Sequence, residues 1–129
     1  MGEIMKRFLF FLLSITLMFV CINVNAQKRT KVADGVFLAT YGNVTVIEND
    51  NTQQSIQIRV EKTGNDAYEV FCNNQFVKGA TKLTLSKAIQ AAIKVASQGV
   101  AGSWMTKYVI DYAVSYTYDK VCAYYAKQR

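Results

Sequence analysis

The side chains with the most reactive chemistry in this chain are three cysteines, Cys21, Cys72 and Cys122, and there is no histidine beside them. Without histidine the commonest general base and a frequent metal ligand are missing, and no Ser–His or Cys–His nucleophile can be assembled. Two or three isolated cysteines alone do not make a zinc site. Carboxylates cluster at Glu48 and Asp50, and again at Glu61, Asp66 and Glu69. Both groups flank turn-forming stretches, where acids are more often solvated turn residues than catalysts. Gly99 and Gly102 fit neither the P-loop nor the dinucleotide spacing. The residue types therefore point to a protein that is not an enzyme and needs no metal or cofactor. Its function is expected to be contact.

The residues best suited to contact lie between Ser103 and Tyr125, in SWMTKYVIDYAVSYTYDKVCAYY. This run holds Trp104, the only tryptophan, together with Tyr108, Tyr112, Tyr116, Tyr118, Tyr124 and Tyr125. Tyrosine and tryptophan combine a large apolar area with a polar tip and enrich contact surfaces. Trp104, Tyr108, Tyr112, Tyr116, Tyr124 and Tyr125 are the candidate patch. As a helix, the run places Met105, Tyr108, Val109, Tyr112 and Tyr116 on one row and Ile110, Val114, Tyr118, Val121 and Tyr125 on another. Lys107, Asp111, Ser115 and Asp119 form the wet side, and Ser103 is the expected N-cap. As a strand, Tyr108, Ile110, Tyr112, Val114, Tyr116 and Tyr118 alternate with mostly small or polar residues. Length and the absence of a turn signal favour the helix.

Ahead of this domain, Met1 to Ala26 has the plan of a secretory signal peptide. Lys6 and Arg7 precede an apolar run from Phe8 to Ile22, and Val24-Asn25-Ala26 suits cleavage after Ala26. The run is shorter than the ~20 residues of a spanning helix, the alternative being a retained anchor. A lipoprotein reading of Cys21 is weakened by Val20, where small residues are usual. Export to the periplasm or beyond leaves Cys72 and Cys122, an even pair in an oxidising compartment, so a disulfide is expected. Its loop of about 50 residues would stabilise the domain by roughly 4 kcal/mol. The processed chain keeps thirteen basic residues and eight acidic ones, and stays basic.

Residues 27–33 read as a flexible basic leader, and 34–129 as one small domain. Val36 to Thr40, Val44 to Glu48, Ser55 to Lys62 and Tyr68 to Cys72 have strand composition, and Gln75 to Lys78 adds a brief last strand. Ile56, Ile58 and Val60 alternate with Gln57, Arg59 and Glu61, the pattern of a sheet covered on one side. Asp34-Gly35, Asn49 to Thr52, Thr63 to Asp66 and Asn73-Asn74 are turn signals. Next comes a helix capped by Thr84 or Ser86, with Leu85, Ile89, Ala92, Ile93 and Ala96 as its apolar stripe and Gly99 as its stop. The expected fold is α+β: an antiparallel meander of three to five strands, then two helices packed on one face.

Two function classes follow. One is an exported interaction module of the cell envelope or extracellular space, with a protein or glycan partner. The other is a secreted membrane-active protein of toxin type, motivated by basic charge and two adjacent apolar segments. An anionic surface is a further candidate partner. Nucleic acid is disfavoured by export and by the lack of aromatic–basic interleaving along the strands. The Asn43-Val44-Thr45 sequon is read as a chance match.

Overall fold

The computed structural model describes residues 28–100 and 102–128. The expected signal peptide and its cleavage site lie outside the described residues. Six strands run in sequence order across one antiparallel sheet: β1 (Thr30–Ala33), β2 (Val36–Tyr41), β3 (Val44–Asn49), β4 (Gln54–Gly64), β5 (Ala67–Cys72) and β6 (Gln75–Ala80). Two helices follow, α1 (Leu85–Gln98) and α2 (Lys107–Ala126). The α+β class is as expected, with one strand more than the three to five anticipated.

The additional strand is β1, which occupies residues assigned above to the flexible leader. Its order comes from partners distant in sequence. Val32 is buried in the core. Just before β1, the Arg29 guanidinium donates to both carboxylate oxygens of Asp50 at 3.0 Å and to Glu48 at 3.1 Å. It also stacks on Phe37, 4.0 Å from the ring centroid. Asp50 is thereby held below the usual carboxylate range. A bidentate clamp of this kind is geometrically specific, and local composition cannot announce it.

The hairpin turns are where their residues predict. Asn73 and Asn74 both take positive φ in the two-residue β5–β6 turn, the conformation that such a hairpin requires. Gly35 (φ 73°) turns β1 into β2, and a Cβ there would strike the Asn51 side chain. Asn49 is buried, and its side-chain oxygen accepts from the Asn51 and Thr52 N–H groups. That local Asx geometry closes the β3–β4 turn.

Period-two alternation sorts the sheet into two faces. Leu38, Ile47 and Ile56 align across three strands, as do Thr45, Ile58 and Cys72. With Val36, Val60, Tyr68 and Val70 they form the face beneath the helices. Helix α1 covers β4, β5 and β6, while α2 packs beside α1 and reaches β1 to β4. The expected α1 stripe is fully buried, together with Ala88. Thr84 precedes α1 without capping it by its side chain. Its hydroxyl instead accepts from the Thr81 N–H at 2.9 Å, closing the turn ahead of the helix.

Cys72 and Cys122 are free thiols, and the expected disulfide is not formed. Sequence parity and face were compatible with pairing, but position along the sheet is not. Cys72 lies at the end of β5, near Ala96 and Val100 beyond the last turn of α1. Cys122 sits with Tyr68 and Leu85 at the first turn of α1. Tyr68 and Cys72 are four residues apart on one strand, about 13 Å, whereas a disulfide needs Cα atoms within ~7 Å. Burial also raises the Cys72 thiol, which stays protonated at neutral pH.

Candidate interaction surface

The aromatic segment is a helix. It starts at Lys107, four residues after the expected Ser103 cap, because Thr106 supplies the cap: its hydroxyl accepts from the Val109 N–H at 3.2 Å. Lys107 and Asp111, one turn apart, are joined at 2.6 Å. The buried seam is Val109, Ala113, Thr117 and Val121, each four residues from the last. It takes Val109 from the first expected row and Val121 from the second, with Ala113 and Thr117 from neither. The seam is made of small and β-branched side chains, and the tyrosines lie on its flanks. Lys107, Asp111, Ser115 and Asp119 are exposed, as their spacing predicts.

The two flanks have different jobs. On the α1 side, Cys122 and Tyr125 line a small pocket of about 90 Å³ with Lys62, Tyr68, Lys82 and Leu85. The Tyr125 hydroxyl donates to the Val60 carbonyl at 2.7 Å. It accepts from the Lys62 N–H at 3.2 Å and from the Asn43 side-chain amide at 3.3 Å. Burial raises its pKa. Tyr125 therefore holds the end of α2 to the sheet and is not a free contact residue. Asn43 is engaged in the same network and also donates to the Val60 carbonyl at 2.9 Å. A glycan on that nitrogen would replace one of its two donor hydrogens and cost at least one of these bonds.

On the opposite flank, Tyr108, Tyr112 and Tyr116 recur at one-turn intervals. Tyr108 is 61 % exposed, and its ring lies 6.2 Å from that of the half-buried Tyr112. Tyr112 and Tyr116 bound a shallow cleft of about 250 Å³ whose other walls are Ser115 and Asp119. The Lys120 ammonium lies 5.5 Å from the Tyr116 ring centroid. The cleft thus offers two aromatic walls, a hydroxyl and a carboxylate. Ser115 and Asp119 had been assigned only to the wet side. Their spacing of three from Tyr112 and Tyr116 is the signal that joins them to the rings.

The other candidate residues lie elsewhere. Trp104 is half-buried, and its indole N–H donates to the Gln54 side-chain oxygen at 2.7 Å, tying the α1–α2 connection to the start of β4. Tyr124 packs over Gly42 and meets Tyr125 edge-on at 4.9 Å. It is twelve residues from Tyr112, about 18 Å along the helix. The six-residue patch expected from sequence is therefore a cluster of three tyrosines with three outliers held by packing or hydrogen bonds.

One feature was missed. On the sheet face away from the helices, Arg59 stacks on Phe71 at 4.2 Å, and Phe71 meets Phe76 edge-on at 5.8 Å. Each residue comes from a different strand, β4, β5 and β6, so no single strand displays the interleaving. Glu48, Glu61 and Glu69 alternate onto the same face. A phosphate backbone would meet these carboxylates as well as the arginine.

Among the described residues, no group of three or more Cys, Asp or Glu side chains is arranged to hold a metal ion. Compared with protein-family models, curated proteins and solved structures, the chain matches none.

Proposed function

We propose that this chain is a small exported protein that works by contact, not catalysis, and that it presents the Tyr108–Tyr112–Tyr116 flank of α2 to a protein or glycan of the cell envelope. The observation that carries this reading is the cleft between Tyr112 and Tyr116, with the Ser115 hydroxyl and Asp119 carboxylate in its walls. Rigid aromatic rings lose little entropy on binding, and adjacent hydrogen-bonding groups supply orientation. The rival, a membrane-disrupting protein, needs apolar helix faces free for lipid. Here the apolar stripe of α1 and the seam of α2 are both taken up by the core, which weighs toward the contact reading.

The test pairs an oligosaccharide array with crosslinking to envelope proteins, using the wild type and a Tyr112→Ala/Tyr116→Ala variant. The expected result is a saturable partner whose affinity falls at least tenfold in the variant, with thermal unfolding still cooperative. Equal affinity of the two proteins, or no saturable partner in either format, sinks the reading.

A further inference from the structure

Between Glu69 and Asp111 the chain contains no acidic residue, yet it carries Lys78, Lys82, Lys87, Lys94 and Lys107. Lys107 is paired with Asp111. The other four are exposed, and none is in an ion pair among the described residues. The fold gathers them. Lys78 is on β6, the edge strand on which α1 packs, and Lys82 is in the turn between β6 and α1. Lys87 and Lys94 follow on the outer face of α1, two turns apart. The positive end of the α1 dipole lies at the Lys82 end of this row, with no acidic residue of the helix's own first turn beside it.

Leu83 follows Lys82 at one end of this row and is 94 % exposed. It is held out, not left loose. The Thr84 N–H donates to the Thr81 carbonyl at 3.1 Å, and the Thr81 N–H to the Thr84 hydroxyl at 2.9 Å. The Lys82 N–H donates to the Asp66 carboxylate at 2.8 Å, which fixes the turn and leaves one negative charge beside four lysines. Val95, one residue beyond Lys94, is 52 % exposed. A soluble partner with acidic side chains would satisfy the lysines, but it gives no reason for a rigid leucine tip beside them. An anionic bilayer satisfies both, with charge at the headgroups and an apolar layer just beneath.

We propose that the β6–α1 face docks reversibly on anionic lipid bilayers, with Lys78, Lys82, Lys87 and Lys94 at the headgroups and Leu83 inserted below them. Docking leaves the core closed and the bilayer intact. It uses α1 and is independent of the α2 tyrosine cleft.

The experiment is cosedimentation of the protein, purified from cells expressing the whole chain, with phosphatidylglycerol-rich and with pure phosphatidylcholine vesicles. Binding is expected only to the anionic vesicles, weakening as salt rises, with no release of an entrapped dye. Each lysine near the surface is worth about fivefold in partitioning, so Lys87→Gln/Lys94→Gln should lose roughly 25-fold. Leu83→Ser should lower binding several-fold at every salt concentration. Both are exposed sites, and circular dichroism checks that the variants fold. Tyr112→Ala/Tyr116→Ala should bind vesicles like the wild type, so this proposal and the tyrosine reading can fail separately. The proposal is overturned by equal binding to neutral vesicles, by no binding at low salt or by dye release. It is equally overturned if dextran sulfate binds as tightly and Leu83→Ser changes nothing, which would make the face a generic polyanion site.

Discussion

Helices α1 and α2 lie side by side on one sheet and bury themselves by opposite means. Helix α1 inserts Leu85, Ile89 and Ile93 and turns lysines outward. Its burial follows the familiar one-sided stripe. Helix α2 is apolar nearly all round, so its pattern names no single inward face. It buries only Val109, Ala113, Thr117 and Val121, leaves Tyr108 exposed and its other tyrosines half-covered. The difference shows that hydrophobicity alone does not choose which face a helix buries when most of its circumference qualifies. Here the small and β-branched side chains take the buried seam, and the large rings go to the flanks, where their hydroxyls can find partners or water.

Substitutions can break this contrast. The largest effect should come from α1. Ile93→Ala removes a fully buried side chain and is expected to destabilise the domain by about 3–4 kcal/mol in urea unfolding. An effect under about 1 kcal/mol would mean that α1 is no anchor.

Next is Ala113→Leu on α2, where the site is fully buried. Overpacking there should destabilise by about 2–3 kcal/mol. A neutral result would show that the seam is loosely packed.

Tyr125→Phe tests the structural flank. Loss of the hydroxyl leaves the Lys62 N–H without its side-chain acceptor and should cost about 1–2 kcal/mol. The same group has a pH signature. Its pKa is raised in the folded state by burial, as is that of Cys72. Stability should therefore be unaffected below the ordinary thiol and phenol values and fall as pH rises through them, because the unfolded chain releases protons that the folded chain retains. Tyr125→Phe should flatten the upper part of that decline. An unchanged alkaline profile would detach Tyr125 from it.

The smallest effect is expected at Thr117. Its hydroxyl is fully buried on the α2 seam and has no hydrogen-bond partner among the described residues. Thr117→Val should be neutral or stabilising by up to about 1 kcal/mol, since an unpaired buried polar group is removed. Marked destabilisation would reveal a partner for that hydroxyl. Thr40 and Thr45 hydroxyls are unpaired on β2 and β3 in the same way, and the same substitution at Thr45 provides a second reading.

Much of the fold was legible. The alternation of Ile56, Ile58 and Val60, the Asn73-Asn74 turn and the α1 stripe each depend on neighbours within a few residues. Half of the candidate site was legible too: tyrosines spaced by four share a helix flank whatever surrounds them. The rest was not. Tyr124 and Tyr125 have the same composition as Tyr112 and Tyr116, and only the meeting of Tyr125 with Val60, Lys62 and Asn43 takes it out of the contact set. The Arg59–Phe71–Phe76 row escaped for a related reason, because strand register assembles it from separate strands.

Residue order alone determined the class of this protein: local periodicity and turn chemistry are short-range, so strands, hairpins and helices were specified before any of them met. It also determined the surplus of lysine between Glu69 and Asp111 and the absence of histidine chemistry. Tertiary structure decided what distance decides. It drew Thr30–Ala33 into the sheet through Arg29, and set Cys72 and Cys122 at opposite ends of α1. It also chose which tyrosines are fastened and which are offered to solvent. Those outcomes depend on how far apart two groups lie once the chain is packed, a quantity that no spacing along the chain contains.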